Sequence, residues 1–344
     1  MSYLGGRERS VGLADGVRAS VVLGSGGGAR SEWSKDGSRS CGCAPQALIG
    51  YTTQIREAGK RRQWPQALEL MLDMRDRSLE LDVITYNVAI SACGKAGQWK
   101  HALALFDEMT RNSLPPNTIT CNAAISACGR GERALAIFDE MVRRRLTPDK
   151  ITYNAAISAC DKGKQPERAL QLLQEMVQMG VMPDEITYSA AISACGKSEQ
   201  CQRALALFDE MVRKALMPDE ITYSAAISAC GKGQQWERAL GLFGQARERD
   251  LVNVVAYSAA ISAYEKGQKW DLALALLTEM QRVVLEPNVI TWNAALSACE
   301  NSHHWELTLL LLRELVEGGP MPDVITYNVA ISACKKGNHW ELAL

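Results

Sequence analysis

Four histidines, His101, His303, His304 and His339, are the chain's whole supply of imidazole. None stands beside a nucleophile motif, and neither a phosphate-cradling glycine loop nor a cluster with metal-ligand spacing appears. The acidic pairs Asp107-Glu108, Asp139-Glu140 and Asp209-Glu210 recur at one register of one kind of segment, which describes a solvated outer face rather than an acid and a base. The sequence therefore predicts no enzyme, no cofactor and no metal. What remains is binding chemistry. A cation recurs once per stretch of text: Lys60, Lys95, Arg130, Lys162, Lys197, Lys232, Lys266 and Lys336, with Asn301 breaking the series. At a helix C-terminus such a charge contributes about 0.3–1 kcal/mol. A ladder of them also suits successive phosphates and gives salt-dependent binding. The two readings are compatible, and both stay open.

Net charge is −1, so no global basic field advertises nucleic acid. Seven of the eleven cysteines, Cys93, Cys128, Cys160, Cys195, Cys230, Cys299 and Cys334, occupy one slot of a repeated text. Equivalent slots in neighbouring helical layers lie about 8–10 Å apart, beyond the roughly 7 Å that a disulfide spans. They read as small buried apolar residues of a reducing compartment. Cys41-Gly-Cys43 lacks a second ligand pair nearby, which argues against zinc there. No apolar run reaches the roughly 18 residues of a membrane span, so no membrane partner is expected.

The elements that position these residues come from the repeat. The text Ile221-Thr222-Tyr223-Ser224-Ala225-Ala226-Ile227-Ser228-Ala229-Cys230 has close copies beginning at Ile84, Ile119, Ile151, Ile186, Val255, Ile290 and Ile325, usually 35 residues apart. A period of this size marks stacked units, each too small to bury its own apolar face. Units open at Leu48, Val83, Thr118, Lys150, Glu185, Glu220, Val254, Val289 and Val324. In the unit opened by Val83, Tyr86, Ala89, Ile90 and Cys93 form one helical stripe. Gly94 and Gly97 loosen the chain near that helix's end. A second stripe, Ala102, Leu103, Phe106 and Met109, closes at Pro115-Pro116-Asn117. Each unit is thus predicted to be an antiparallel helix pair.

Two units are irregular, and both cuts fall in turns, where length changes are tolerated best. The unit opened by Thr118 is three residues short around Gly129-Arg130-Gly131, and the one opened by Glu220 loses a residue near Leu251-Val252-Asn253. The last unit stops at Leu344, early in its second helix and without a polar cap, so the sequence reads as a fragment or a truncated gene product. Residues 1–47 are rich in Gly, Ser and Arg. They are expected to form a disordered leader, compatible with a transit peptide although Glu8 and Asp15 interrupt that pattern.

The repeated text resembles the pentatricopeptide repeat family over residues 48–344. The resemblance rests on the period, on Thr85-Tyr86-Asn87, Thr152-Tyr153-Asn154 and Thr326-Tyr327-Asn328, on the second-helix text from Ala204 to Met211, and on the closing Pro183-Asp184 and Pro218-Asp219. The tetratricopeptide family differs in period and in the place of its tryptophan. Here Trp64, Trp99, Trp236, Trp270, Trp305 and Trp340 sit between the helices, where they read as hydrophobic staples more readily than as stacking platforms. The resemblance implies an all-α, right-handed superhelical solenoid of about nine helix pairs that binds single-stranded RNA, one base per repeat. It also implies an organelle, chloroplast or mitochondrion, and a part in RNA processing, stability, editing or translation, with RNA-processing proteins as further partners.

In the family, the fifth and last residues of a unit read the base and the second sandwiches it. The implied pairs are Thr52 with Asp82 for G, Asn87 with Asn117 for C, and Asn122 with Asp149 and Asn154 with Asp184 for U. Ser189 with Asp219 then implies G, Ser224 with Asn253 and Ser258 with Asn288 imply A, and Asn293 with Asp323 implies U. Asn328 lacks a partner. The implied RNA is near 5′-GCUUGAAU-3′. The sandwiching residues are Ile49, Ile84, Ile119, Ile151, Ile186, Ile221, Val255, Ile290 and Ile325, which lie off the apolar stripe. Second and fifth residues are three apart and share a helix face, and good hydrogen-bonded pairing discriminates bases by about 1–3 kcal/mol in the DNA analogue.

Two rival readings remain. One is a helical scaffold whose groove holds a peptide, for which the restricted Asn/Ser/Thr and Asp/Asn choice has no use. The other places a catalytic domain, such as an editing deaminase, beyond Leu344.

Overall fold

A computed structural model describes residues 44–128, 131–339 and 341. The transit-peptide reading, Cys41, Cys43, Arg130 and Trp340 lie outside the described residues. Among those described there are seventeen helices and no strand. The first helices of the units are α1 (Ala44–Lys60), α3 (Val83–Lys95), α5 (Thr118–Ala127), α7 (Lys150–Gly163), α9 (Glu185–Lys197), α11 (Glu220–Lys232), α13 (Val254–Lys266), α15 (Val289–Asn301) and α17 (Val324–Lys336). The second helices are α2 (Trp64–Asp76), α4 (Trp99–Arg111), α6 (Gly131–Arg143), α8 (Pro166–Gln178), α10 (Cys201–Arg213), α12 (Trp236–Glu248), α14 (Trp270–Arg282) and α16 (Trp305–Gly318). The repeat has become a helix-pair solenoid.

The stripes behave as the spacing requires. Tyr86, Ala89, Ile90 and Cys93 are fully buried in α3, and Ala102, Phe106 and Met109 are buried in α4. Leu105 joins that second stripe, while Leu103 is only half-buried. The two helices are joined by a tight turn in which the Gln98 N–H donates to the Cys93 carbonyl at 2.9 Å and Gly97 takes φ +73°. The turns that leave the second helices take the same left-handed conformation with residues that pay a steric penalty there, such as Ala215 at φ 57° and Val284 at φ 58°.

Successive first helices pack on one another along the whole array, α1 on α3, α3 on α5, and so on to α17. Successive second helices keep their backbones apart, and long side chains join them, as in the ion pairs Asp139–Arg168 and Asp209–Arg238, each 2.7 Å. Such an array curves with its first helices on the inner face. Close approach there requires a missing side chain: a Cβ added at Gly59 would meet Ala92 Cβ at 2.9 Å, and one at Gly94 would meet Ala127 Cβ at 2.8 Å. Gly94 therefore serves the contact between units, not a loosened helix end.

In most units the fourth residue ties the two helices together. The Tyr86 hydroxyl donates to Glu108 at 2.8 Å, Tyr188 to Glu210 at 2.7 Å, and Tyr153 and Tyr257 to Glu175 and Glu279 at 3.2 Å each. The second acid of the pairs Asp107-Glu108 and Asp209-Glu210 is thus committed to a tyrosine, while the first faces solvent. In the shortened unit Cys121 stands in the tyrosine's place, and Glu140 pairs with Arg143 and Arg144 instead, at 2.8 and 2.7 Å.

Candidate nucleic-acid interface

The last residue of each unit turns out to begin the next one. Asp82, Asn117, Asp149, Asp184, Asp219, Asn253, Asn288 and Asp323 are the N-caps of α3, α5, α7, α9, α11, α13, α15 and α17, each accepting from the backbone N–H three residues on. Capping supplies one reason for a short acceptor at this slot. It does not supply the whole reason: Ser and Thr cap nearly as well, yet only Asp and Asn occur in these eight places.

The fifth residue sits on the inner face beside that cap. The Asn122 amide donates to Asp149 at 3.1 Å, Asn154 to Asp184 at 3.1 Å and Asn293 to Asp323 at 3.1 Å, and the Ser224 hydroxyl donates to Asn253 at 3.0 Å. These four pairs, 27–30 residues apart in sequence, are bonded side chain to side chain. The other four are not, among the described residues. Thr52 turns to the Ile49 carbonyl, Ser258 to the Val254 carbonyl and Thr291, and the buried Asn87 Oδ1 has no partner. Ser189, itself buried, makes no side-chain bond to Asp219, and the exposed Asn328 has no paired residue.

Sequence reasoning overlooked the third residue, a fully buried threonine in seven of the nine units. The Thr152 hydroxyl lies 2.5 Å from Asn122 Oδ1 and 2.8 Å from Asp149 Oδ1, and Thr326 lies 2.6 Å from Asn293 Oδ1. Each asparagine is thereby held at both ends of its amide, oxygen toward threonine and nitrogen toward aspartate. The signal was present, since Thr recurs at that slot as regularly as Tyr follows it. Burial alone would raise the Asp149 and Asp184 carboxyls. The bonds from Thr152 and Thr187, with those from Asn122 and Asn154, outweigh it and hold both below the usual carboxylate range.

The second residues are the clearest feature of this face. Ile49, Ile84, Ile119, Ile151, Ile186, Ile221, Val255, Ile290 and Ile325 are all 55–67 % exposed, against a neighbouring stripe that is buried. A cleft of about 250 Å³ lies between two of them, lined by Ile221, Val255, Ser224, Asn253, Lys197 and Lys232. One aliphatic pair, one polar pair and two of the ladder lysines thus meet in one place.

The cation ladder is less uniform than its spacing suggests. Lys60, Lys95, Lys162 and Lys266 are exposed and form no ion pair among the described residues. Lys197 is paired with Asp161 at 2.7 Å and Lys336 with Glu300 at 2.8 Å, while Lys232 donates to the Gly196 carbonyl at 3.2 Å. The acids sit where other units carry the contact glycine. The described tryptophans open second helices and also reach the next unit: Trp64 packs against His101, Trp270 against His304, Trp305 against His339, and Arg133 lies 4.3 Å over Trp99.

No group of three or more metal-ligating side chains exists among the described residues, and no helix there is long and apolar enough to cross a membrane.

Comparison with known proteins agrees with this architecture. No curated protein sequence matches the chain. Among solved structures, the pentatricopeptide repeat protein PPR10 from maize is similar at 26 % identity and a TM-score of 0.59, over 87 % of this chain and 43 % of that one. PPR10 in complex with an 18-nt psaJ RNA element is similar at 18 % identity and a TM-score of 0.52, over 88 % and 55 %. The chain thus spans about half the length of these solved proteins. The PPR repeat family model matches residues 47–95, 81–130, 151–197, 190–232, 252–299 and 287–336, and the PPR repeat model matches 119–146 and 221–251. With matched units running almost unbroken along the solenoid, the chain belongs to the pentatricopeptide repeat family.

Proposed function

We propose that the inner face binds single-stranded RNA sequence-selectively, one base per unit, with a preferred target near 5′-GCUUGAAU-3′. The observation that carries this reading is the cleft between Ile221 and Val255, with Ser224 bonded to Asn253 at its side and Lys197 and Lys232 at its rim. Two aliphatic walls suit the flat faces of a base. A short polar pair suits its edge, and lysines suit the adjoining phosphates. The fold it shares with PPR10, solved with RNA, supports the same reading. The residues in play are those of the fifth, last and second positions, with the exposed Lys60, Lys95, Lys162 and Lys266 the foremost phosphate partners. The protein would act by occupying RNA in an organelle, shielding it or recruiting processing partners, and not by chemistry of its own.

The test is a gel shift with this RNA, a scrambled RNA and the matching DNA at two salt concentrations. Tight binding to the first alone, weakened by salt, is the expected result. Equal binding to all three would sink the code, and no binding to any would sink the RNA reading itself.

A further inference from the structure

Cys201 breaks the pattern of its slot. The corresponding residue is Trp64, Trp99, Trp236, Trp270 or Trp305 in other units and Pro166 in one. In each case this residue opens the second helix, and Trp236 and Trp305 pack onto the end of the next unit's first helix. A Cβ at Gly267 would strike the Trp236 ring at 2.9 Å, and one at Gly337 would strike Trp305 at 2.6 Å. Cys201 packs the same way on the end of α11. A Cβ at Gly233 would lie 2.4 Å from Cys201 Cβ and 2.9 Å from its Sγ. Cys230 stands in the last turn of α11, three residues before Gly233 and so on the same face of the helix end that Cys201 covers. Both cysteines are free and buried, Cys201 at 4 % exposure and Cys230 at 0 %. Burial, and after it the Cys201 thiol, push the Cys230 thiol up to about 12.

The slot cysteines cannot reach one another across layers, so Cys230 owes its partner to the one unit that lost its aromatic. We infer that Cys201 and Cys230 form an oxidisable dithiol that hydrogen peroxide converts into a disulfide joining α10 to α11, across the boundary between two repeats. Cys201, the more accessible of the two, reacts first. Its thiolate takes one oxygen from peroxide, giving a sulfenic acid and releasing water. The Cys230 sulfur then attacks the sulfenic sulfur, the S–S bond forms and the hydroxyl leaves as a second water. Two thiols and one peroxide thus become one disulfide and two waters, and a thiol reductant reverses the step. The slow stage is access, since neither sulfur is open to solvent and the thiolate of Cys230 is scarce at neutral pH. The inference does not depend on RNA binding.

The experiment treats the full, reduced chain with hydrogen peroxide, blocks remaining thiols with iodoacetamide in denaturant, and maps tryptic peptides by mass. Cleavage after Lys197, Arg203, Lys214 and Lys232 places the two cysteines in peptides 198–203 and 215–232. The expected product is those two peptides joined, lighter by two hydrogens than their sum and separated again by dithiothreitol. It should be lost in Cys201→Ser and Cys230→Ser and kept in Cys93→Ser. Recovery of both peptides fully alkylated after oxidation, or of Cys201 as sulfinic acid with Cys230 still alkylated, would overturn it. Because the map is read on the unmutated chain, it stands even where a serine variant folds poorly.

Discussion

The Asn154 amide donates to both carboxylate oxygens of Asp184, at 3.1 and 3.3 Å, while Asp184 accepts from the Thr187 backbone at 3.0 Å and so caps α9. One carboxylate therefore serves the pair that faces the groove and the start of the next helix together. The polar pair and the helix cap share one oxygen here, Asp184 Oδ1.

Asn154→Ser combined with Asp184→Asn should move the preference at the fourth base from U toward A, read by gel shift with four RNAs that differ only there. Stability should hardly change, because Asn caps as well as Asp. Asp184→Ala removes the cap and should cost about 0.5–2 kcal/mol, read by thermal or urea denaturation.

The chain should lose stability as pH rises above its neutral range. Burial pushes the thiols of Cys93, Cys128, Cys160 and Cys299 from 9.0 to about 11, and burial with Glu175 pushes Tyr153 from 10.0 to about 12. Within those windows the unfolded chain has already lost protons that the folded chain keeps, so unfolding gains as pH climbs. The thermal midpoint should therefore fall steeply between pH 9 and 11. At the acid end the sign reverses. Asp149, Asp184 and Asp323 lie below the ordinary 3.8, so their contribution is present above that value and lost as pH drops through the lower folded one.

Gly94→Val should separate neighbouring units, since the new Cβ would sit 2.8 Å from Ala127 Cβ. A cost of about 1–3 kcal/mol is expected from such overpacking. Gly50→Ala is the matched control: nothing lies within 4 Å of its added Cβ, and helix propensity alone should stabilise it by about 0.5–1 kcal/mol. Paired melting curves decide between the two outcomes.

Val284→Gly should raise stability by about 1 kcal/mol. Its φ of 58° suits glycine, which Gly180 provides in the equivalent turn at φ 75°. A β-branched residue resists that conformation, and Val284 gives up little packing because it is 86 % exposed. Urea denaturation of the single variant checks it.

The sequence carried the helix pairs because their apolar stripes repeat with helical spacing, and Tyr86, Ala89, Ile90 and Cys93 are buried as that spacing demands. The exposed Ile84 series was legible for the same reason, lying off the stripe. What stayed hidden depends on contacts between units. Nothing local to Asp149 shows that it caps α7 while holding Asn122, and nothing local to Lys197 shows Asp161 from the unit before it. Nor does the text alone show that Gly94 is a spacer, since a helix-breaking glycine and a helix-contact glycine are written alike.

The shared caps bear on how such arrays are rebuilt. A cassette cut where the text repeats, between Asp184 and Glu185, would carry the capping aspartate away from the helix it starts, and a grafted neighbour would inherit a stranger's first turn. Cutting inside the Schellman turns between paired helices, as near Gly97, keeps each cap with the helix it starts but parts it from its fifth-position partner, as Asp184 from Asn154, so no single splice point spares both.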